Sequence, residues 1–150
     1  MSSLPNERDR HPESACARLV ARYARAVDLN DGVAAAACFT IDGLLEMPLA
    51  RRYQGRDEIA RRIDEQPDKQ VSRHLLSNLL IDPIAPDRAR GSLYLTIYRG
   101  VRLQPAGALE LAGPYLVGEY DDEYVLNAEG WLIARRRLTT IFRRAEAAGR

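Results

Sequence analysis

Three side chains in this sequence carry the equipment for proton transfer without a metal: the phenol of Tyr23, the carboxylate of Asp28 and the imidazole of His74. A phenol donates a hydrogen bond to an oxygen that is gaining charge. An imidazole accepts a proton, and a carboxylate beside it fixes the ring tautomer and stabilises the imidazolium that forms. Tyr23 and Asp28 lie in Tyr23-Ala24-Arg25-Ala26-Val27-Asp28, near the end of a predicted helix, and His74 lies in Ser72-Arg73-His74-Leu75-Leu76-Ser77-Asn78, on a predicted strand. Tyr23 and Asp28 are separated by about 140° around a helix, so they border one cavity only with Asp28 at its rim, where the helix frays. A carboxylate near a helix C-terminus is disfavoured by the helix dipole and calls for compensation, for which a histidine is one candidate.

Alternation on the His74 strand puts His74, Leu76, Asn78 and Leu80 on one face and Arg73, Leu75, Ser77 and Leu79 on the other. His74 and Asn78 are therefore expected to point together into a cavity. On the next strand Ser92, Tyr94, Thr96 and Tyr98 form a polar and aromatic face, and Leu93, Leu95 and Ile97 an apolar one. Alternation alone does not decide which of the two lines the cavity.

Taken singly, each of these residues has an ordinary reading: a solvated carboxylate at a helix end, a satisfied histidine, a core tyrosine with a capped hydroxyl. Arg135-Arg136-Arg137 reads as a strand with alternate exposed charges rather than an anion clamp, and Tyr120-Asp121-Asp122-Glu123-Tyr124 as a solvated hairpin rather than a metal site. No phosphate loop, nucleophile elbow or dinucleotide fingerprint is present.

The elements that must position the trio follow from periodicity. The 150 residues are enough for one domain with a real core. A flexible arm is expected over residues 1–12, the domain over 13–144 and a disordered tail over 145–150. Pro12 fits a first helical turn, and Cys16, Leu19, Val20, Tyr23 and Val27 then recur at helical spacing until about Leu29-Asn30. Asp31 is a predicted N-cap for a short helix from Gly32 to Cys38, with Phe39 plugging the core behind it. Asp42-Gly43 is a turn signal before a short strand from Leu44 to Pro48. Gly55 precedes a third helix, Arg56 to Glu65, with Ile59 and Ile63 on one face. Val71–Ile81, Ala89–Leu103, Pro114–Leu126 and Trp131–Phe142 read as strands, and the turns between them favour antiparallel neighbours. Helices first and a strand meander second predict an α+β domain with helices on one sheet face and a ligand space between the layers.

Composition narrows the rest. A net charge of +1 gives no bulk attraction to nucleic acid or anionic membrane. Cys16 and Cys38 have neither disulfide-framework nor zinc-site spacing. The polar N-terminus and the lack of a long apolar run predict a cytoplasmic protein without a membrane span. Trp131 and the long late strands predict an apolar sheet surface and hence a homodimer or homotrimer.

The motifs Tyr23-x4-Asp28, Phe39-Thr40-x-Asp42-Gly43, Gly55-Arg56-x2-Ile59, Arg73-His74-x3-Asn78, Gly118-x-Tyr120-x3-Tyr124 and Gly130-Trp131-x-Ile133-x2-Arg136 occur in this order. Over roughly Ala15 to Arg143 the chain resembles the SnoaL-like branch of the nuclear transport factor 2-like superfamily. The resemblance implies a cone of three helices in a strongly curved, mixed, mostly antiparallel sheet with a deep pocket. In its site residues it is nearest the bile-acid dehydratase and scytalone dehydratase type, which pair an Asp at the end of the first helix with a His on a later strand. Those positions match Asp28 and His74, and the bile-acid enzyme's tyrosine matches Tyr23. The ketosteroid isomerase base falls at Met47, within Glu46-Met47-Pro48, as does an additional tyrosine of the bile-acid enzyme. Scytalone dehydratase's second active-site histidine has no equivalent.

The resemblance implies a cofactor-free lyase that eliminates water from a hydrophobic, cyclic small molecule. Tyr23, Asp28 and His74 would be catalytic, and Met47, Asn78, Tyr94 and Tyr98 would shape the substrate pocket, with no metal. Alternatives are an isomerase or cyclase on the same fold, or a non-catalytic assembly domain like the small subunit of a ring-hydroxylating dioxygenase.

Overall fold

The structure, a computed structural model, describes residues 11–145. The expected arm and tail fall outside the described residues except for their innermost positions. No helix among the described residues is long and apolar enough to cross a membrane.

Helix α1 runs Pro12–Asp28, with proline in the first turn and Cys16, Leu19, Val20, Tyr23, Ala24 and Ala26 buried along one stripe. It ends in a Schellman turn. Asn30 is left-handed, with φ 54°. Its N–H donates to the Val27 carbonyl at 3.1 Å, and the Asp31 N–H donates to that of Ala26 at 2.9 Å. Asp28 is therefore held in the last helical position, not on a frayed end. Helix α2, Gly32–Ala36, is capped by the Asp31 carboxylate, which accepts from the Ala34 N–H at 2.9 Å. It is shorter than the expected Gly32–Cys38. Phe39 is fully buried and meets Tyr23 edge to face, with ring centroids 5.6 Å apart.

The first strand differs from expectation. β1 spans Phe39–Met47 and runs through Asp42-Gly43 instead of turning there. The pair marks an irregularity in register between Phe39 and Leu44. A Cβ on Gly43 would lie 2.8 Å from that of Phe39, so glycine lets the strand bend over the core. A turn at Pro48-Leu49-Ala50 leads into β2, Arg51–Gln54, an edge strand with no apolar alternation to announce it. Helix α3, Arg56–Asp64, starts after Gly55, whose φ of 84° favours glycine. The Glu58 carboxylate reaches back to the Gln54 N–H at 2.7 Å.

Strands β3 (Gln70–Ala85), β4 (Arg88–Val101), β5 (Leu116–Asn127) and β6 (Gly130–Arg143) form an antiparallel meander, and β1 closes onto β6 in parallel. The sheet order is β2-β1-β6-β5-β4-β3. Register breaks in β3, β5 and β6 curve it around the helices. The core is one cluster joining α1, α3 and the inner sheet face.

Two expectations about the late strands fail. Trp131 is 6% exposed and belongs to the core, so it contributes nothing to an apolar outer surface. Tyr120 to Tyr124 is the middle of β5, not a solvated hairpin, and Asp122 within it is buried.

Candidate active site

Asp28 and His74 meet. The Asp28 Oδ1 lies 2.6 Å from His74 Nδ1. The Asp28 Oδ2 accepts the backbone N–H of His74 at 3.0 Å, and the Ser72 hydroxyl donates to Oδ1 at 3.3 Å. These three donors supply the compensation that a carboxylate at a helix C-terminus needs. With Nδ1 on a carboxylate, the neutral ring carries its proton there and presents the Nε2 lone pair. Both side chains are nearly buried.

His74 lines a cavity between the helices and the sheet. Tyr23 and Val27 reach it from α1, and Leu45 and Met47 from β1. Arg62, Ile63 and Gln66 reach it from α3 and the turn after it. Ser72 and His74 of β3, Ile97 and Arg99 of β4, Tyr120 of β5 and Leu138 of β6 complete the wall. Its volume is about 60 Å³ within the walls and about 520 Å³ counted out through its open mouth. Asp28 stands behind the wall and meets the cavity through His74 and Ser72. Among the described residues no three His, Cys, Asp or Glu side chains are placed to hold a metal ion.

The pocket-shaping residues divide. Met47 lines the cavity. Asn78 does not: it is exposed, left-handed at φ 52°, and sits where the β3–β4 register slips between Ser77 and Leu80. One extra residue there ends the alternation that would have aimed it with His74. Tyr94 and Tyr98 are on the outer face, because Leu93, Leu95 and Ile97 take the inner one, and Tyr94 is 49% exposed.

Beneath the cavity lies a buried ion pair. The fully buried Arg136 guanidinium donates to both Asp122 carboxylate oxygens, at 2.7 and 2.6 Å. The Tyr124 hydroxyl donates to Asp122 Oδ2 at 2.5 Å. The guanidinium carbon lies 4.6 Å from the Tyr23 ring centroid and 4.1 Å from that of Tyr120. Burial opposes the Arg136 charge, but Asp122 outweighs it and holds the guanidinium above its ordinary pKa. Burial also raises the Tyr23 phenol, and the positive Arg136 acts against that rise. Tyr23 is thus kept as a neutral donor beside a fixed cation.

Arg62, Gln66, Arg99, Tyr120, Asp122 and Arg136 went unrecognised in the sequence. Arg99 continues the inward frame of Leu93, Leu95 and Ile97. Arg62 and Gln66 each follow a buried isoleucine by three positions, Ile59 and Ile63.

A cone of helices in a curved sheet is the nuclear transport factor 2-like architecture. The family model described as SnoaL-like domain matches residues 9–137, and the chain belongs to that family. Solved structures agree on the fold. A Mycobacterium tuberculosis protein of unknown function is 28% identical with a TM-score of 0.70, over 84% of this chain and 69% of that one. A candidate scytalone dehydratase from Novosphingobium aromaticivorans is 21% identical at TM-score 0.75, over 90% and 87%. A candidate aromatic ring hydroxylase from the same organism is 19% identical at 0.71, over 93% of each chain. Among curated proteins none matches by sequence.

Proposed function

We propose that the chain is a cofactor-free lyase that removes water from a hydrophobic, cyclic small molecule by proton abstraction. The observation that carries this reading is the 2.6 Å contact of Asp28 with His74 Nδ1, which leaves the other ring nitrogen for the cavity beside Tyr23. His74 Nε2 takes a proton from a carbon next to an electron-withdrawing group. The C–H electrons move toward that group, and Tyr23 donates a hydrogen bond to the oxygen that gains charge. Asp28 stabilises the imidazolium. The electrons return to form the double bond, the C–O bond to the neighbouring hydroxyl breaks, and the His74 proton leaves with it as water. The likeness to a candidate scytalone dehydratase supports elimination over isomerisation.

The test is a screen of cyclic β-hydroxy carbonyl compounds for alkene formation, followed by His74→Ala and Asp28→Asn. General-base assistance is worth about 10²–10⁴-fold, so both variants should lose turnover by that order with a smaller change in substrate affinity. Unchanged turnover in both would overturn the reading.

The cavity volume favours a second reading. About 60 Å³ holds a few waters, whereas about 150 Å³ accepts benzene. A ring enters only if the side chains at the mouth move. If they do not, the chain is a non-catalytic binding or assembly domain. Failure of every ring compound to perturb the His74 ring resonances would favour it.

A further inference from the structure

Two arginines line the cavity with no acidic partner. Neither Arg62 nor Arg99 forms an ion pair with a carboxylate among the described residues. The Arg99 guanidinium packs 4.2 Å from the Tyr115 ring centroid, and its Nε is buried without a hydrogen-bond partner. Arg62 lies 5.9 Å from the Tyr53 ring centroid. Gln66, also in the lining, has its Oε1 taken by Gln70 Nε2 at 2.7 Å, so its amide N–H groups are what it can offer. The lining therefore holds donors and positive charge with no carboxylate to meet them. Burial lowers the Arg99 pKa; the Tyr115 hydroxyl beside it acts against that fall, while the nearby Arg62 and Arg143 charges add to it. Two like charges and an unpaired buried N–H are costly arrangements, and an anion from outside would relieve both.

We infer that Arg62, Gln66 and Arg99 form a carboxylate subsite, so that the ligand of this cavity is an apolar ring bearing an acid group. The subsite deepens the lyase reading and rests on it for the chemistry at the other side of the cavity. Register gives the spacing. Arg99 pairs with Ser72 and Ile97 with His74, so the arginine is two residues along the strands from the base, roughly 7 Å. The acid group is held to one side of the base along the strands, and its charge sets the orientation of the ring against His74. Planar guanidinium groups suit a planar carboxylate, which they can grip by two parallel bonds.

The experiment compares cyclohexanecarboxylate with its neutral isostere, cyclohexanecarboxamide, by calorimetry and by NMR titration of the full chain. The carboxylate should bind about tenfold tighter or better, the ratio one charge-assisted hydrogen bond supplies, and its affinity should fall with salt. Arg62→Gln and Arg99→Gln should each reduce that preference, weakening the acid more than the amide. Arg62 is only half-buried, so its variant keeps the test open if the Arg99 variant does not fold. Equal affinity for acid and amide, no binding of the acid at millimolar concentration, or a preference unchanged in both variants overturns the subsite. His74→Ala should keep the acid preference, so loss of the lyase reading and loss of the subsite are told apart.

Discussion

Arg136 and Asp122 are fully desolvated, and removing one partner strands the other's charge. Arg136→Met should therefore destabilise by about 3–5 kcal/mol. The double change Arg136→Met with Asp122→Leu should recover part of the loss, as measured by urea unfolding. If the single variant is as stable as the native protein, the pair is not buried as described. Tyr23→Phe removes the donor and keeps the ring, and should cost roughly 1.5–3 kcal/mol of transition-state stabilisation. The buried thiol and phenols make a third prediction. Burial pushes Cys16 up to about 12, and raises Tyr23, Tyr120 and Tyr124 as well. In the folded protein these groups keep protons that the unfolded chain releases from pH 9.0 for the thiol and 10.0 for the phenols. Stability is full below that range and falls as pH rises through it, by up to about 1.4 kcal/mol per pH unit for each group. Urea midpoints from pH 8 to 11 measure the slope. Asp28 and His74 were legible because each lies where a simple period is reliable, at a helix end and before any bulge. Asp122 and Arg136 were not, because a charge inside a sheet reads as a solvated charge until its partner on the neighbouring strand is known.

Turn and cap chemistry decide the elements that hold these residues. Asp31→Ala should cost about 1 kcal/mol, because the α2 cap is its carboxylate. The turn after β1 holds Leu49 and Ala50 at φ 66° and 57°, in the left-handed region that L-residues resist. Ala50→Gly should therefore stabilise by several tenths of a kcal/mol to about 1, a gain readable as a higher Tm. A loss would mean that this turn takes another backbone. Most element boundaries were readable from sequence, because Pro12, Asp31, Gly55 and the turns between the late strands act locally. β2 was hidden because Arg51-Arg52-Tyr53-Gln54 carries no apolar alternation. Asp42-Gly43 was misread because glycine marks a bend inside a strand as readily as a turn between two.

At the scale of the whole molecule the outer sheet face is unfinished. Leu75 pairs with Thr96, Thr96 with Val117 and Val117 with Phe142, a row across four strands. Leu75 and Phe142 are 52% and 68% exposed at its ends, and Tyr94 lies beside it. A contiguous apolar row on a sheet is covered in most stable proteins. We expect a homo-oligomer through this face, for which Leu75 and Phe142 replace Trp131 as the reason. Light scattering should report more than one copy at micromolar concentration, and Leu75→Glu with Phe142→Glu should yield monomers. A native monomer under those conditions removes the expectation.

The slip at Asn78 behaves like a shift of reading frame. Up to Leu76 the inward positions of β3 are even-numbered, with Ser72 and His74 among them; beyond it the buried residue is Ile81. Deleting one residue at the slip would mend the ladder and leave both His74 and Ile81 facing inward, because the extra residue is what carries the inward positions from even numbers to odd ones. The two halves of the strand are separately spelled. An insertion or deletion beyond Asn78 would recast the tip of the β3–β4 hairpin without touching the proton-transfer pair, so variation in length has a place to accumulate at no expense to the chemistry.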